Sequence, residues 1–99
     1  MAGYQWDTAK NEWLLRHRSI SFEQIVWHIA EGHLLDVLTS DKEQYKGQTQ
    51  LVVNVNGYAH LVPCTEDGGT ITLKTIIPSR KLTKRYLRRG GAGDGATES

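Results

Sequence analysis

Residues 51–62 read LVVNVNGYAHLV, and this stretch decides the fold class. A β-rich run lies on each side of Asn56-Gly57. A two-residue hairpin turn places both of its residues at positive φ, and asparagine and glycine adopt that conformation readily. The stretch therefore predicts a β-hairpin with strands over residues 51–55 and 58–62.

Further strands are predicted on both sides of the hairpin. Residues 33–38 form an upstream strand, and a polar loop over residues 39–47 connects it to the hairpin. Downstream, Glu66–Gly69 is a turn signal, residues 70–77 alternate between polar and apolar side chains, and Pro78 ends the strand. The pattern predicts an antiparallel meander of about four strands.

Two helices are predicted before the sheet. Asp7 is suited to cap a first helix over residues 8–16. Its inner face is predicted to consist of Ala9, Trp13 and Leu14. Ser21 and Gln24 fit a capping box at the start of a second helix, apolar residues recur at helical spacing over residues 22–30, and Gly32 ends it.

A third, basic helix is predicted over residues 80–89, with Ser79 as its cap. Its charged residues are Arg80, Lys81, Lys84, Arg85, Arg88 and Arg89, without an acid. At about 100° per residue they share one face, while Leu82, Tyr86 and Leu87 lie on the other face and dock on the sheet. Such like charges repel one another, which favours a site for a polyanion or an acidic protein surface over a merely solvated helix.

These elements predict an α+β fold: two N-terminal helices, a sheet of about four strands and a C-terminal basic helix. The 99 residues, 38% hydrophobic and 23% charged, fit one domain, which we place at residues 1–89. Residues 90–99 contain four glycines and no large apolar side chain, and are predicted to form a disordered tail.

The composition also excludes several classes of site. Cys64 is the only cysteine, which rules out an internal disulfide and a cysteine-based zinc site. The four histidines lack the spacing of zinc motifs, so neither a metal nor a cofactor is expected. No apolar run is long enough for a membrane helix, and residues 1–20 lack the apolar core of a signal peptide. We therefore expect a cytoplasmic protein without membrane association.

Two further groups of residues carry possible chemistry. Arg16, His17 and Arg18 end the first helix, and Glu23 begins the second, so a short connection brings a titratable base or acid close to cations. The alternative is that these charges only stabilise the helix ends. The three tryptophans at positions 6, 13 and 27 have the flat rings on which bases stack, although in a small domain we expect them in the core.

Three segments resemble the BrnT-type toxins of bacterial toxin–antitoxin pairs. They are Tyr4–Leu14 with its Tyr-Gln-Trp-Asp start and Lys-Asn-Glu-Trp-Leu end, Ile20–Glu23, and Lys74–Leu87 with its Lys-Thr-Ile-Ile-Pro-Ser-Arg-Lys start. They occur in the family's order, so the resemblance covers about residues 4–88. Where the family reads Lys-His-Gly, this chain reads His17-Arg18-Ser19.

The resemblance implies a RelE-like ribonuclease fold, metal-independent RNA cleavage and neutralisation by a small DNA-binding antitoxin of the ribbon-helix-helix type. Glu23 or His17 would accept the proton of the ribose 2′-OH, with Glu23 narrowly preferred, and Arg80 would stabilise the phosphorane. The predicted RNA-binding residues are Arg16, Arg18, Lys74, Lys81, Lys84, Arg85 and Arg88. The alternative is a binding module without catalysis, whose basic helix docks an acidic partner protein or RNA.

Overall fold

The computed structural model describes residues 3–39 and 48–88. Its elements are β1 (Gly3–Trp6), α1 (Thr8–Arg18), α2 (Phe22–Ala30), β2 (Leu34–Thr39), β3 (Gln48–Val55), β4 (Tyr58–Asp67), β5 (Thr70–Leu73), β6 (Ile77–Pro78) and α3 (Arg80–Thr83), followed by a π-helical segment (Lys84–Arg88). The predicted tail, Arg89 and most of the predicted 39–47 loop lie outside the described residues.

The described strands form one six-stranded sheet, and with the helices they confirm the predicted α+β class. The strand order is β1-β5-β4-β3-β2, and β6 pairs with β4 beyond the end of β5. All pairs are antiparallel except β1 with β5, which are parallel. The predicted hairpin is confirmed: Asn56 and Gly57 have φ values of 55° and 85°, and Val55 faces Tyr58.

The predicted count of about four strands was too low. β1 was not predicted, because four residues directly before a helix cap are too few to show the alternation of polar and apolar side chains that indicates a strand. The strand predicted over residues 70–77 is divided into β5 and β6. Between them the backbone leaves the ladder, and Ile76 places its side chain in the core with no exposed surface.

The main core lies between the two N-terminal helices and one face of the sheet. The buried residues of this core are Leu14, Ile20, Phe22, Ile25, Leu51, Val53, Val55, Val62, Cys64, Leu73 and Ile76. The predicted inner face of α1 was only partly right: Leu14 is buried, but Ala9 and Trp13 are exposed, and Asn11 is buried instead. Asn11 occupies this position because its amide bonds to α2, which a hydrophobicity pattern does not reveal.

The prediction of three core tryptophans was correct only for the first. Trp6 packs against the core, with its ring centroid 5.7 Å from that of Phe22. Trp13 is 41% exposed and Trp27 is 57% exposed. Aliphatic residues from the sheet fill the space beneath both helices, which leaves these two rings at the surface.

The C-terminal basic helix also differs from the prediction. After the single α-helical turn of α3, residues 84–88 continue as a wider π-helical segment. The predicted alignment of the cations on one face of a regular α-helix therefore does not continue beyond Thr83. The face predicted to dock on the sheet is half-buried at each of its three positions, Leu82, Tyr86 and Leu87. Thr83 is buried almost completely.

Candidate nucleic-acid interface

Asn11 joins the first two helices and determines the environment of Glu23. Its Oδ1 accepts a hydrogen bond from the Phe22 amide at 2.8 Å, and its Nδ2 donates to Glu23 Oε1 at 2.9 Å. The bond from Asn11, with a further bond from the backbone, lowers the pKa of Glu23 below its ordinary value. A carboxylate stabilised in this way is a weak base, so its best-supported role is to hold α1 against α2.

His17 has separate partners on its own helix. Its Nδ1–H donates to the Trp13 carbonyl at 3.0 Å, and its ring stacks on that of Trp13 with centroids 4.6 Å apart. In the neutral ring this leaves the lone pair on Nε2 free. Within residues 3–39 and 48–88 no hydrogen bond joins His17 to Glu23, so the structure does not bring the two predicted proton-transfer residues together by direct contact.

Arg18 connects the end of α1 to a distant part of the chain. Its Nη1 donates to the Ile76 carbonyl at 3.1 Å, and its guanidinium lies 5.4 Å from the centre of the Trp13 ring. The Ile76 carbonyl belongs to the segment that leads from β5 into the basic helix. The bond therefore joins two positions that are 58 residues apart and holds the end of α1 against the segment that leads to the basic helix. Arg16 is also exposed near the end of α1.

The basic helix is fixed to β4 through its backbone. The Ser79 amide donates to the Ala59 carbonyl at 2.9 Å, and Thr83 Oγ1 accepts from the Ala59 amide at 2.7 Å. Ser79 also caps the helix, accepting from the Leu82 amide at 3.1 Å. The cations whose exposure the structure describes here, Arg80, Lys81, Lys84 and Arg85, all lie at the surface. The side chain of Arg88 is outside the description.

A second polar cluster joins the π-helical segment to the edge strand β2. The Tyr86 hydroxyl donates to Asp36 Oδ2 at 2.5 Å, and the Val37 amide donates to the other carboxylate oxygen at 2.7 Å. The bond from Tyr86 is the main cause that lowers the pKa of Asp36, and the same bond raises the pKa of Tyr86. Asp36 was not predicted as a site residue, although an acidic residue inside the apolar run LLDVL indicates a carboxylate with a specific partner.

Lys74 lies apart from the basic helix, at the mouth of a cleft. The cleft has a volume of about 360 Å³ and lies over the ends of β2, β3 and β4. Its lining residues include Gln48, Gln50, Thr65 and Lys74. The volume is at the lower end of the range for small-molecule sites. Lys74 is therefore placed to reach a group that enters this cleft.

Comparison with known proteins supplies no identity for this arrangement. No family model matches the chain, and no curated protein is similar to it. In the described part of the chain, no group of three or more histidine, cysteine, aspartate or glutamate side chains is arranged to hold a metal ion. Over the same ranges, no helix has the length and apolar character needed to cross a membrane. A functional assignment therefore depends on the geometry around Trp13, Arg18 and the basic helix.

Proposed function

We propose that this protein is a metal-independent endoribonuclease, the toxin of a toxin–antitoxin pair, with a RelE-like arrangement of its α+β fold. The observation that carries the proposal is the bond from Arg18 to the Ile76 carbonyl. Through it, the end of α1, which carries Arg16 and Arg18, is held against the segment that leads to the cations of the basic helix. Guanidinium and ammonium groups supplied by two elements are suited to contact a phosphate backbone.

The proposed reaction uses the RNA itself as nucleophile. A base on the protein takes the proton of a ribose 2′-OH, and the oxygen attacks the adjacent phosphorus. The bond from phosphorus to the 5′-oxygen breaks, and that oxygen leaves as a hydroxyl after receiving a proton. The products are a 2′,3′-cyclic phosphate and a 5′-hydroxyl. Each step requires only a base, an acid and cations that stabilise the phosphorane.

Of the two candidate bases, His17 suits this chemistry better than Glu23. Its Nε2 is free because Nδ1 bonds to the Trp13 carbonyl, and the ring is exposed. Glu23 is engaged by Asn11 and has a lowered pKa. We therefore assign proton transfer to His17, with Glu23 supporting the helix that carries it. Arg80 is assigned to stabilise charge on the phosphorane, because it is the first exposed cation after the segment bound by Arg18.

The remaining cations are assigned to RNA binding. They are Arg16, Arg18, Lys74, Lys81, Lys84, Arg85 and Arg88. The proposed partner is a cognate antitoxin, a small DNA-binding protein of the ribbon-helix-helix class, and the proposed location is the cytoplasm, where both RNA and antitoxin would be found. A short reading frame for such a protein next to the gene would support this pairing.

The direct test is cleavage of a defined RNA by the purified protein in the presence of EDTA. We expect products with 2′,3′-cyclic phosphate ends, and no cleavage of the 2′-deoxy analogue. Arg80→Ala is expected to reduce the rate about 100-fold, and His17→Ala by 100-fold or more. Lys81→Ala is the matched control: it removes the same charge one residue away and should weaken binding more than catalysis.

Two results would contradict the assignment. Products ending in a 3′-hydroxyl would exclude attack by the 2′-OH, and full activity of both His17→Ala and Arg80→Ala would place the chemistry elsewhere. Because His17 packs on Trp13, each variant is first compared with wild type by circular dichroism and urea unfolding. Reduced activity counts only in a variant that unfolds at the wild-type urea concentration.

The second candidate function is the binding module without catalysis. It is favoured by one observation: the acidic and phenolic groups near the basic surface, Glu23, Asp36 and Tyr86, are all bound to other residues of the protein. A protein of this kind would bind RNA or an acidic partner and leave the RNA intact. Intact RNA after prolonged incubation, together with retained binding, would support this function over the nuclease.

A further inference from the structure

Trp13 has an environment unlike that of the other exposed tryptophan. Lys10 Nζ lies 4.7 Å from the centre of the Trp13 ring, and Arg18 Cζ lies 5.4 Å from it. The His17 ring stacks on the same indole at an interplanar angle of 27°. We name these four residues the Trp13 platform. Trp27 is more exposed, but the described contacts of its ring are with His28 and His33.

The composition of the Trp13 platform fits a nucleotide better than an apolar ligand. The indole is a large flat ring system with His17 stacked on it, and 41% of the residue remains exposed although Leu14 beside it is completely buried. Lys10 and Arg18 lie eight positions apart on α1, which is about 12 Å along a helix axis. A base on the ring would therefore have a cation toward each side for the flanking phosphates.

The position of Arg18 connects the platform to the rest of the proposed interface. Its bond to the Ile76 carbonyl fixes the guanidinium between Trp13 and the segment that leads into the basic helix.

We propose that Trp13 is a stacking subsite for one unpaired base of single-stranded RNA, with Lys10 and Arg18 neutralising the phosphates on either side of that base. This inference rests on the proposed RNA-directed function and adds a position that contacts a base rather than the backbone. Stacking accepts any base, because every base has a π face, so the subsite positions the strand and does not select a sequence.

The test compares two oligomers of the same length and charge. One is 2′-O-methyl decauridine, which lacks the 2′-OH and cannot be cleaved by the proposed route, and the other is its abasic analogue. Trp13→Leu is expected to weaken binding of decauridine about 5- to 100-fold, the contribution of one base–aromatic stack. The same variant should bind the abasic oligomer within twofold of wild type. Trp27→Leu, the matched control, should bind both oligomers as wild type does.

Three results would overturn the proposal: unchanged binding of decauridine by Trp13→Leu, an equal loss for the abasic oligomer, or equal losses for Trp13→Leu and Trp27→Leu. Retained binding of the abasic oligomer also shows that the variant is folded, and Trp13→Phe, which keeps a ring, should recover part of the affinity. The cleavage assay is independent of this comparison. If the protein cleaves RNA but Trp13→Leu does not change binding, only the proposed stacking subsite is contradicted. If binding depends on the bases through Trp13 but the RNA is not cleaved, only the proposed nuclease activity is contradicted.

Discussion

Ser19 ends α1 in a conformation that normally belongs to glycine. Its φ and ψ are 57° and 34°, in the left-handed region, and its amide donates to the Leu15 carbonyl to close the helix. A side chain with a Cβ is strained in this region, which is why helices often end with glycine at such a position. The backbone requirement at this position is therefore met by a residue less suitable than glycine.

Replacing Ser19 by glycine should therefore stabilise the protein. We expect Ser19→Gly to raise the free energy of unfolding by about 0.5–1 kcal/mol, since the relief of strain exceeds the added freedom of the unfolded chain. The measurement is the urea midpoint at constant m-value. Ser19→Ala keeps the Cβ and should show no gain. A midpoint that stays the same or falls in Ser19→Gly would mean that the left-handed conformation is not maintained in solution.

At the scale of elements, α2 has the most completely specified start. The Gln24 amide donates to Ser21 Oγ at 3.2 Å, and the Ser21 amide donates to Gln24 Oε1 at 2.9 Å, so both bonds of the predicted capping box are present. Ile20 and Ile25, on either side of the cap, are both buried. Because α2 carries Phe22 and Ile25 into the core, its start also determines how the core packs.

Loss of the cap should weaken the whole fold. We expect Ser21→Ala to lower the free energy of unfolding by about 1 kcal/mol, because the Gln24 amide loses its acceptor at a site with little access to water. Urea unfolding measures the change, with Ser19→Ala as the control for removal of a serine hydroxyl outside the cap. An unchanged midpoint for Ser21→Ala would show that water replaces the hydroxyl without cost.

The end of α2 contains a cluster of histidines. His28 Nδ1 and His33 Nδ1 are 2.8 Å apart, so one ring donates and the other accepts. Burial, followed by the charge on His33, lowers the pKa of His28 below its ordinary value, with an opposing effect from Glu31. Burial also lowers the pKa of His60 on β4, and His28 contributes to that shift.

Acidification should consequently destabilise the protein. A histidine whose pKa is lowered by folding binds protons more readily in the unfolded chain, so stability is lost as the pH falls below the unfolded value of about 6.5. The urea midpoint should be lower at pH 5.5 than at pH 7.5, with a slope no steeper than about 1.4 kcal/mol per pH unit for each histidine. His28→Gln should reduce this dependence. A midpoint that rises toward pH 5.5 would contradict it.

Local sequence signals predicted the elements whose boundaries depend on nearby residues. The capping box, the Asn56-Gly57 turn and the Ser79 cap each involve residues within a few positions of one another, and all three are present. The exposed Trp13 and the buried Asn11 were not predictable in this way, because their burial depends on how α1 meets α2 and the sheet. The resemblance to a toxin family stays a prediction.

The same distinction applies to the candidate site. The clustering of cations near the end of the chain is a property of the sequence, and Arg80, Lys81, Lys84 and Arg85 are exposed as predicted. The contacts of Arg18 with Ile76 and of Tyr86 with Asp36 join residues 58 and 50 positions apart. Such pairs follow from the tertiary fold, and no local pattern in this single sequence indicates them.

At the scale of the whole molecule, the proposed RNA binding should depend on salt through the exposed cations. Four described cations of the basic helix are exposed, and each phosphate contact to a single strand contributes about −0.7 to the slope of log affinity against log salt. With the two phosphate contacts proposed for Lys10 and Arg18, we expect a slope of about −4 for 2′-O-methyl decauridine, and a reduction in its magnitude by about 1.4 in Lys84→Ala/Arg85→Ala. A slope no steeper than −1, or an unchanged slope in the double variant, would exclude this helix as the RNA-binding surface.

The parallel pairing of β1 with β5 has a consequence for the order in which the chain folds. Gly3–Trp6 leaves the ribosome well before its hydrogen-bonding partners, Thr70–Leu73, are made; Gln5 and Thr72, which bond through their side chains, are 67 positions apart. Closing so long a loop is slow compared with forming the hairpin β3–β4, whose turn is local. β1 is therefore expected to join the sheet after the β3–β4 hairpin has formed, and until then Tyr4 and Trp6 remain without their final packing partners.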